Sequence, residues 1–289
     1  MFINWLQNIR RTIKTKTYRL SIFEIALFGL LLSLYMIMAL FERFVFVGAF
    51  NISITYAVFI VFGLALGPWK GAIIGILCDT LNQVIFGIST WMPEYALIPV
   101  LISFLSGFFM NGLTKSNDKK TWIIGFIFLA IITIIFIAIL AKEYNSLPLS
   151  ETSIKRKKKY SLQAVIGIST FGISSIWILS IIFLTLYIKT KSIKTKYSSY
   201  LLFNILITVF AIIIITRWLW GPFAYINYHN RFRGGTWKYN EYYFFFMVPI
   251  IFKSLIEIPI YTFLIFSIYP IIRIIKNKIN YTSKKISVY

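Results

Sequence analysis

The sequence predicts an all-α polytopic membrane protein. Hydrophobic residues make up 58% of the 289 positions and charged residues only 13%, whereas soluble domains average about 45–50% and about 25%. The mean hydropathy is +0.78, and apolar runs of bilayer-spanning length recur along the whole chain. Because one soluble core could not bury this much apolar surface, the lipid bilayer must solvate a large part of the protein.

Eight apolar segments are candidate membrane-spanning helices. A helix needs about 20 apolar residues to cross the hydrocarbon core. The candidates lie at residues 20–41, 51–67, 70–88, 95–113, 121–141, 162–188, 198–220 and 244–272. Between the second and third, Gly67 and Pro68 predict a tight corner, because glycine tolerates the turn and proline cannot extend the preceding hydrogen-bond ladder. Pro259 and Pro270 predict a kink in the last segment.

The distribution of charge predicts the orientation. The net charge is +21, and Lys and Arg lie in short runs between apolar segments, which is typical of membrane-protein loops and argues against nucleic-acid binding. We expect a basic segment at 1–20, one transmembrane domain at 21–275 and a tail at 276–289, with both termini on the cytoplasmic side of the plasma membrane. Arg217 then counts with the outer loops. The basic loop 142–161 opposes this bias, either as an exception or because a neighbouring segment does not cross.

Motifs for catalysis are absent from the sequence. It contains no phosphate-binding Gly-rich loop and no His-Glu-x-x-His or Gly-x-Ser-x-Gly pattern. The one histidine, His229, has no carboxylates at ligand spacing. The one cysteine, Cys78, excludes an intramolecular disulfide and a cysteine-ligated zinc cluster. We therefore expect no catalytic residues, no metal and no cofactor.

A few polar residues lie inside the apolar segments, where charges are costly and usually face the protein interior. Asp79 and Asn82 share a helix face and are either a ligand-facing cluster or a structural network between helices. Lys253 and Glu257 are one turn apart and either neutralise each other or contact a substrate. Glu24 lies near the end of the first segment and is expected to reach water.

The connection after the third segment is short and aromatic. Its Trp91 and Tyr95 either cap a binding cavity or belong to the aromatic belt at the membrane surface. The belt also explains the Trp and Tyr residues at 218–239. On the first segment, Gly29 and Ser33 form a small-xxx-small pair that lets another helix approach closely.

Three stretches carry longer motifs. Residues 40–44 read Leu-Phe-Glu-Arg-Phe. Residues 62–79 contain the most specific pattern, Gly-x-x-x-Gly-Pro-x-x-Gly-x-x-x-Gly-x-x-x-Asp. Residues 248–260 contain Val-Pro and then Lys-Ser-Leu-Ile-Glu-Ile-Pro-Ile. Together they resemble the S component of an energy-coupling factor (ECF) transporter, in particular its folate family, over about residues 20–113 and 198–275.

The resemblance implies a fold and a function. S components have six helices, so the helices and loop at 121–188 are expected to be an inserted hairpin, which preserves the sidedness of both termini. The implied function is the capture of folate or another small anionic vitamin, without chemistry of its own. A transmembrane T component and two ATPase subunits are the implied partners. Ile250 is a departure, because the family has an arginine there.

The resemblance and the polar residues together nominate a site. Cationic side chains would meet carboxylates, aromatic rings would stack on a flat ring, and the acid and amide would bind ring donors and acceptors. The candidate ligand-binding residues are Arg43, Asp79, Asn82, Trp91, Tyr95 and Lys253. The resemblance also makes Gly29 and Ser33 candidate contacts for the T component.

Two other functions remain open at the level of the sequence. An integral membrane enzyme acting on lipid or isoprenoid substrates would bring Asp79, Glu94 and His229 together in one cavity. A structural membrane protein without a ligand would use Asp79 and Lys253 only to bridge helices, and its interior beneath the outer loops would be fully packed.

Overall fold

A computed structural model describes residues 21–44, 53–87, 91–115, 118–143, 152–154, 157–159 and 162–286. These residues form helices and one short hairpin, which confirms the predicted all-α class. The helices are α1 (Ile22–Phe44), α2 (Ile54–Leu66), α3 (Pro68–Phe86), α4 (Pro93–Lys115), α5 (Asp118–Glu143), α6 (Leu162–Lys189), α7 (Ile193–Ile213), α8 (Trp220–Phe232) and α9 (Tyr239–Ile286). A π-helical turn (Ile214–Leu219) joins α7 to α8, and antiparallel strands β1 (Thr152–Ile154) and β2 (Lys157–Lys159) lie in the predicted basic loop.

The protein is a multi-pass membrane protein. In the part of the chain that the structure describes, six stretches are long and apolar enough to cross a membrane: Ile22–Phe44, Pro93–Gly112, Asp118–Ala138, Thr170–Lys189, Ile193–Phe232 and Phe245–Ile279. The predicted second span is shorter than expected, because α2 has 13 residues and rises only about 20 Å. The predicted seventh span is longer, because the helix continues through the π-helical turn to Phe232.

The corner between α2 and α3 depends on glycine. Gly67 has a φ of +85°, in the left-handed region that favours glycine, and its N–H donates to the Gly63 carbonyl at 3.0 Å. Pro68 then begins α3, where its missing N–H is not needed. A Cβ on Gly63 would lie 1.9 Å from the Ser103 carbonyl oxygen. The glycine pattern of the sequence therefore lets the α2 backbone touch α4.

Two serines of α4 secure this contact. Ser103 Oγ donates to the Phe59 carbonyl at 3.0 Å, and Ser106 Oγ donates to the Ile60 carbonyl at 3.1 Å. Both hydroxyls are buried, so they meet their hydrogen-bond needs on the neighbouring helix. Helices α2, α3 and α4 consequently form one closely packed unit, against which α7 and α9 pack.

Helices α5 and α6 lie on the outside of the α7 and α9 helices. Helix α5 packs mainly on α7 and α6, and α6 packs on α7 and α9. On α5, the Trp122 ring stacks on Phe203 of α7 at 4.1 Å. On α6, Trp177 donates to Thr133 of α5 at 3.0 Å. This peripheral position is what an inserted hairpin requires, and the insertion stays a prediction. The kink at Pro259 and Pro270 also stays a prediction.

The ends of the helices form two groups. One group contains the last turn of α1, the first turns of α2, α4 and α9, and the end of α8. We call it the cavity end, because a cavity described below lies there. The terminal end holds the start of α1 and the end of α9, where Lys276 donates to Asn111 of α4 at 2.6 Å. Glu24 at this end was expected to reach water. It is instead buried, because Lys70 at the start of α3 forms an ion pair with it and Ser21 hydrogen-bonds its carboxylate.

Gly63→Ala should lower the melting temperature of the detergent-purified protein, because the added methyl group would collide with the α4 backbone. Overpacking of this kind costs about 1–3 kcal/mol. Gly112→Ala is the matched control, since a Cβ at Gly112 has no neighbour within 4 Å among the described residues. Equal melting curves for the two variants would contradict the close α2–α4 packing.

Candidate functional site

A cavity of about 300 Å³ lies at the cavity end of the bundle. This volume is at the lower end of the range for small-molecule sites. Four aromatic residues contribute to its wall: Tyr56, Tyr95, Tyr225 and Phe246. This end of the bundle is therefore not fully packed and leaves room for a small ligand.

The aromatic wall continues into a larger aromatic cluster between α8 and α9. The Tyr225 and Phe246 rings are 4.7 Å apart, and the Phe246 ring is 5.0 Å from Trp237. Trp237 in turn stacks on His229 at 3.4 Å. These rings pre-organise the apolar sides of the cavity, and a flat ligand can stack against them.

The aromatic-belt interpretation was wrong for two residues. Trp218 is buried, with its ring 5.7 Å from Phe210 and 6.1 Å from Phe136. Tyr225 lines the cavity. Both residues lie within the extended seventh span, Ile193–Phe232, and not at the membrane surface to which the belt assigned them.

Among the residues that line the cavity, the charged side chain is that of Arg217, which belongs to the π-helical turn. Its side chain is 9% exposed and pairs with the Glu257 carboxylate, and its guanidinium carbon lies 4.7 Å from the centre of the Tyr56 ring. The sequence-based placement of Arg217 in an outer loop was therefore wrong. Turns of π-helix are frequent at functional sites, and an arginine within an otherwise apolar run was the signal that could have revealed this one.

Glu257 of α9 joins several elements behind the cavity wall. It is completely buried and accepts hydrogen bonds from Arg217 and, at 3.1 Å, from the Ser53 backbone N–H. Lys253 Nζ lies 3.6 Å from Glu257 Oε1, which confirms the predicted neutralising pair. Lys253 also donates to Ser53 Oγ at 3.2 Å, and Tyr261 donates to the Ser53 carbonyl at 2.7 Å. One face of α9 thus fixes the residue that precedes α2.

The first turn of α2 is held by carboxylates from two other helices. A helix N-terminus carries unpaired N–H donors and a partial positive charge, so nearby carboxylates stabilise it. Glu257 accepts from Ser53 N–H, and Glu42 of α1 accepts from both the backbone N–H and the hydroxyl of Thr55. Tyr56 follows directly, so the same contacts position one wall of the cavity.

The predicted ligand-binding residues are dispersed around this end. Tyr95 is among the residues that line the cavity, whereas Lys253 is not, and it pairs with Glu257 behind the wall. Arg43 is exposed and lies over the Phe86 ring at 4.5 Å. The remaining three are two partly buried residues of α3 and one exposed residue before α4: Asp79, Asn82 and Trp91. Their roles as ligand contacts stay predictions.

The predicted partner-binding pair lies on an open face of α1. Both Gly29 and Ser33 are exposed, and a Cβ built on Gly29 has no described neighbour within 4 Å. Ser33 Oγ donates to the Gly29 carbonyl at 2.9 Å, so its hydroxyl needs no partner from another helix. This face can accept a helix, and its partner stays a prediction.

The enzyme alternative finds little support among the described residues. Glu94 forms an ion pair with Arg231 at 3.5 Å, and His229 stacks on Trp237. Across the described ranges, no group of three or more His, Cys, Asp or Glu could hold a metal ion. Glu94 and His229 are therefore engaged in separate contacts.

Comparison with known proteins identifies the family. The model of the ECF-type riboflavin transporter S component matches residues 19–189, which include the glycine-rich corner at 63–79. The chain belongs to this family. A search of curated proteins and a search of solved structures found no match.

Membership confirms the resemblance to S components. The protein is thus a vitamin-capture subunit of an ECF transporter, in a family of transport proteins that work with a T component and ATPases and bind vitamin ligands. Such subunits are transport components rather than enzymes. The match extends through α5 and α6 and concerns riboflavin, so the folate family and the inserted hairpin stay predictions.

Arg217→Met or Glu257→Met alone should lower the free energy of unfolding by about 3–5 kcal/mol, because each leaves a buried charge without its closest partner. In the double Met variant, the loss of unfolding free energy should be much smaller than the sum of the two single losses, since no unpaired partner remains. Denaturant unfolding of the purified proteins measures these values.

The control is Arg231→Met, which removes a largely exposed arginine from its pair with Glu94. Its cost should stay below about 1 kcal/mol. Additive losses in the double Met variant, or a cost for Arg231→Met as large as that for Arg217→Met, would contradict the buried pair.

Proposed function

We propose that this S component captures a neutral, flat heteroaromatic vitamin of the flavin class, with riboflavin as the leading ligand. The observation that carries the proposal is an aromatic cavity whose one arginine, Arg217, is already neutralised by Glu257. A guanidinium in this state still offers N–H donors. It therefore suits carbonyl oxygens of a neutral ring better than it suits a free carboxylate. The family match to riboflavin transporters supports the same class.

The shape and polarity of the cavity support a ring system with one polar edge. The rings of Tyr56 and Tyr225 offer stacking surfaces, and Ile98 and Ile250 make the remaining wall apolar. Ile250 stands where the folate-type pattern has an arginine, so one expected carboxylate partner is missing from the wall. A ring edge with carbonyl groups would meet Arg217, and the apolar edge would meet the isoleucines.

A folate-class anion is the alternative ligand. It is favoured by the cations at the cavity end, where Lys253 is partly exposed and Arg43 is exposed. In that case these side chains would meet the carboxylates of the ligand. The neutral ligand is preferred because Lys253 and Arg217 share the Glu257 carboxylate and are therefore partly neutralised.

The proposed orientation places the cavity end outside the cell and both termini in the cytoplasm. It is supported by the lysines at the terminal end, where the end of α6, the turn after it and the start of α7 carry Lys189, Lys191, Lys194 and Lys196. Cytoplasmic loops carry an excess of Lys and Arg. A vitamin would then enter from outside, as capture requires.

The proposed assembly is a complex with a T component and two ATPase subunits. The open face of α1 around Gly29 and Ser33 supports contact with a helix of the T component, because small residues permit close packing in lipid. The peripheral packing of α5 and α6 supports an inserted hairpin around a six-helix core. An even number of added helices keeps both termini on one side.

Riboflavin should bind the detergent-purified protein and lose its fluorescence on stacking against the aromatic wall. Tyr225→Leu should weaken this binding about 2–10-fold, because a stacked aromatic pair contributes about 0.5–1.5 kcal/mol beyond its buried area. Titration by flavin fluorescence and by calorimetry measures the affinity, with folate titrated in parallel.

The matched control is Tyr239→Leu, which removes an exposed ring that stacks on Phe223 outside the cavity wall. Its affinity for riboflavin should equal that of the unaltered protein. Tighter binding of folate than of riboflavin would favour the anionic alternative, and binding of neither would overturn the proposed function.

A further inference from the structure

Glu257 lies behind the cavity wall, in contact with the cation that faces the cavity. It is completely buried on α9, whereas Arg217, its partner, lines the cavity. Its second carboxylate oxygen lies 3.6 Å from Lys253 Nζ and accepts from Ser53 N–H at 3.1 Å. A ligand thus meets the guanidinium of Arg217 with a negative charge fixed immediately behind it.

The contacts of Glu257 prevent it from turning away. One oxygen is engaged by Arg217, and the other is engaged by the Ser53 backbone and by Lys253. Releasing Arg217 to an anionic ligand would leave a buried carboxylate short of its closest cation, which is strongly unfavourable. An anion in the cavity would also be repelled by Glu257 through protein of low dielectric constant, where charges interact more strongly than in water.

If Glu257 carried no charge, the cations Arg217 and Lys253 would favour an anionic ligand. Arg217 would then present uncompensated positive charge to the cavity, with Lys253 behind the wall adding to it, and an anionic ligand would neutralise this charge.

We propose that Glu257 is a specificity-determining residue that makes the cavity select neutral over anionic ligands. The choice of flavin probes rests on the proposed function. Glu257 acts through Arg217 and is thus a positioning residue that does not touch the ligand.

The test compares riboflavin with its 5′-phosphate ester, which adds a charge of about −1.5 to −2 at neutral pH, as phosphorylation of a hydroxyl does. The unaltered protein should bind riboflavin more tightly than the ester. Glu257→Gln keeps the size of the side chain and removes its charge. It should shift the affinity ratio toward the ester by at least about tenfold, which corresponds to about 1.4 kcal/mol. A gain of ester binding cannot result from a general folding defect.

Three further variants separate the charge of Glu257 from other effects. Glu94→Gln removes one carboxylate at the same end, where its partner is Arg231, and should leave the affinity ratio unchanged. The double variant Arg217→Gln/Glu257→Gln should not show the shift toward the ester, because the cation that faces the cavity is absent. Lys253→Gln leaves the buried Arg217–Glu257 pair intact and should shift the ratio about 2–10-fold toward riboflavin, so the proposal remains testable if Glu257→Gln does not fold.

Inorganic phosphate provides a readout that does not depend on flavin binding. It should raise the melting temperature of Glu257→Gln relative to an equal ionic strength of sodium chloride, and should not do so for the unaltered protein or the double variant. If neither flavin binds the unaltered protein, the proposed function fails while this melting test still decides the role of Glu257. An unchanged affinity ratio in folded Glu257→Gln would overturn the proposal, as would an unchanged ratio in Lys253→Gln where Glu257→Gln does not fold. Where flavins do not bind, the absence of a phosphate effect on folded Glu257→Gln would overturn it.

Discussion

The buried ion pair between Arg217 and Glu257 is the interaction on which the cavity end depends. It connects the π-helical turn to α9, and through the Ser53 N–H it also connects both to the first turn of α2. Three of the elements that surround the cavity are therefore held by one carboxylate. A buried ion pair contributes little net stability relative to apolar packing. Its position at the wall of a cavity is consequently consistent with a role in ligand binding.

The rest of the bundle positions that pair. Close packing through Gly63 and the Ser103 and Ser106 hydrogen bonds holds α2 against α4. The buried side of α7 packs on this unit and continues into the π-helical turn, which places Arg217 opposite α9. Structural rigidity below the cavity and aromatic rings around it leave the ligand-facing surface largely pre-formed, which reduces the entropic cost of binding.

The fold could be predicted from the sequence wherever the determining signal is local. Apolar length predicted most of the helices, and Gly67 followed by Pro68 predicted the corner, because the backbone conformation there follows directly from those two residues. The pairing of Lys253 with Glu257 followed from helical spacing. Arg217 was missed because its partner lies 40 positions away and a π-helical turn leaves no pattern in apolar periodicity. Glu24 was misjudged for the same reason, since Lys70 reaches it from another helix.

The position of the bound vitamin tests the central claim most directly. A structure determined by cryo-electron microscopy with riboflavin present would show which residues surround the ring system. We expect the ring between Tyr56 and Tyr225, with a carbonyl oxygen within about 3 Å of an Arg217 nitrogen. A ligand bound instead against α3 at Asp79 and Asn82, with Arg217 out of reach, would contradict the assignment of this cavity as the vitamin site.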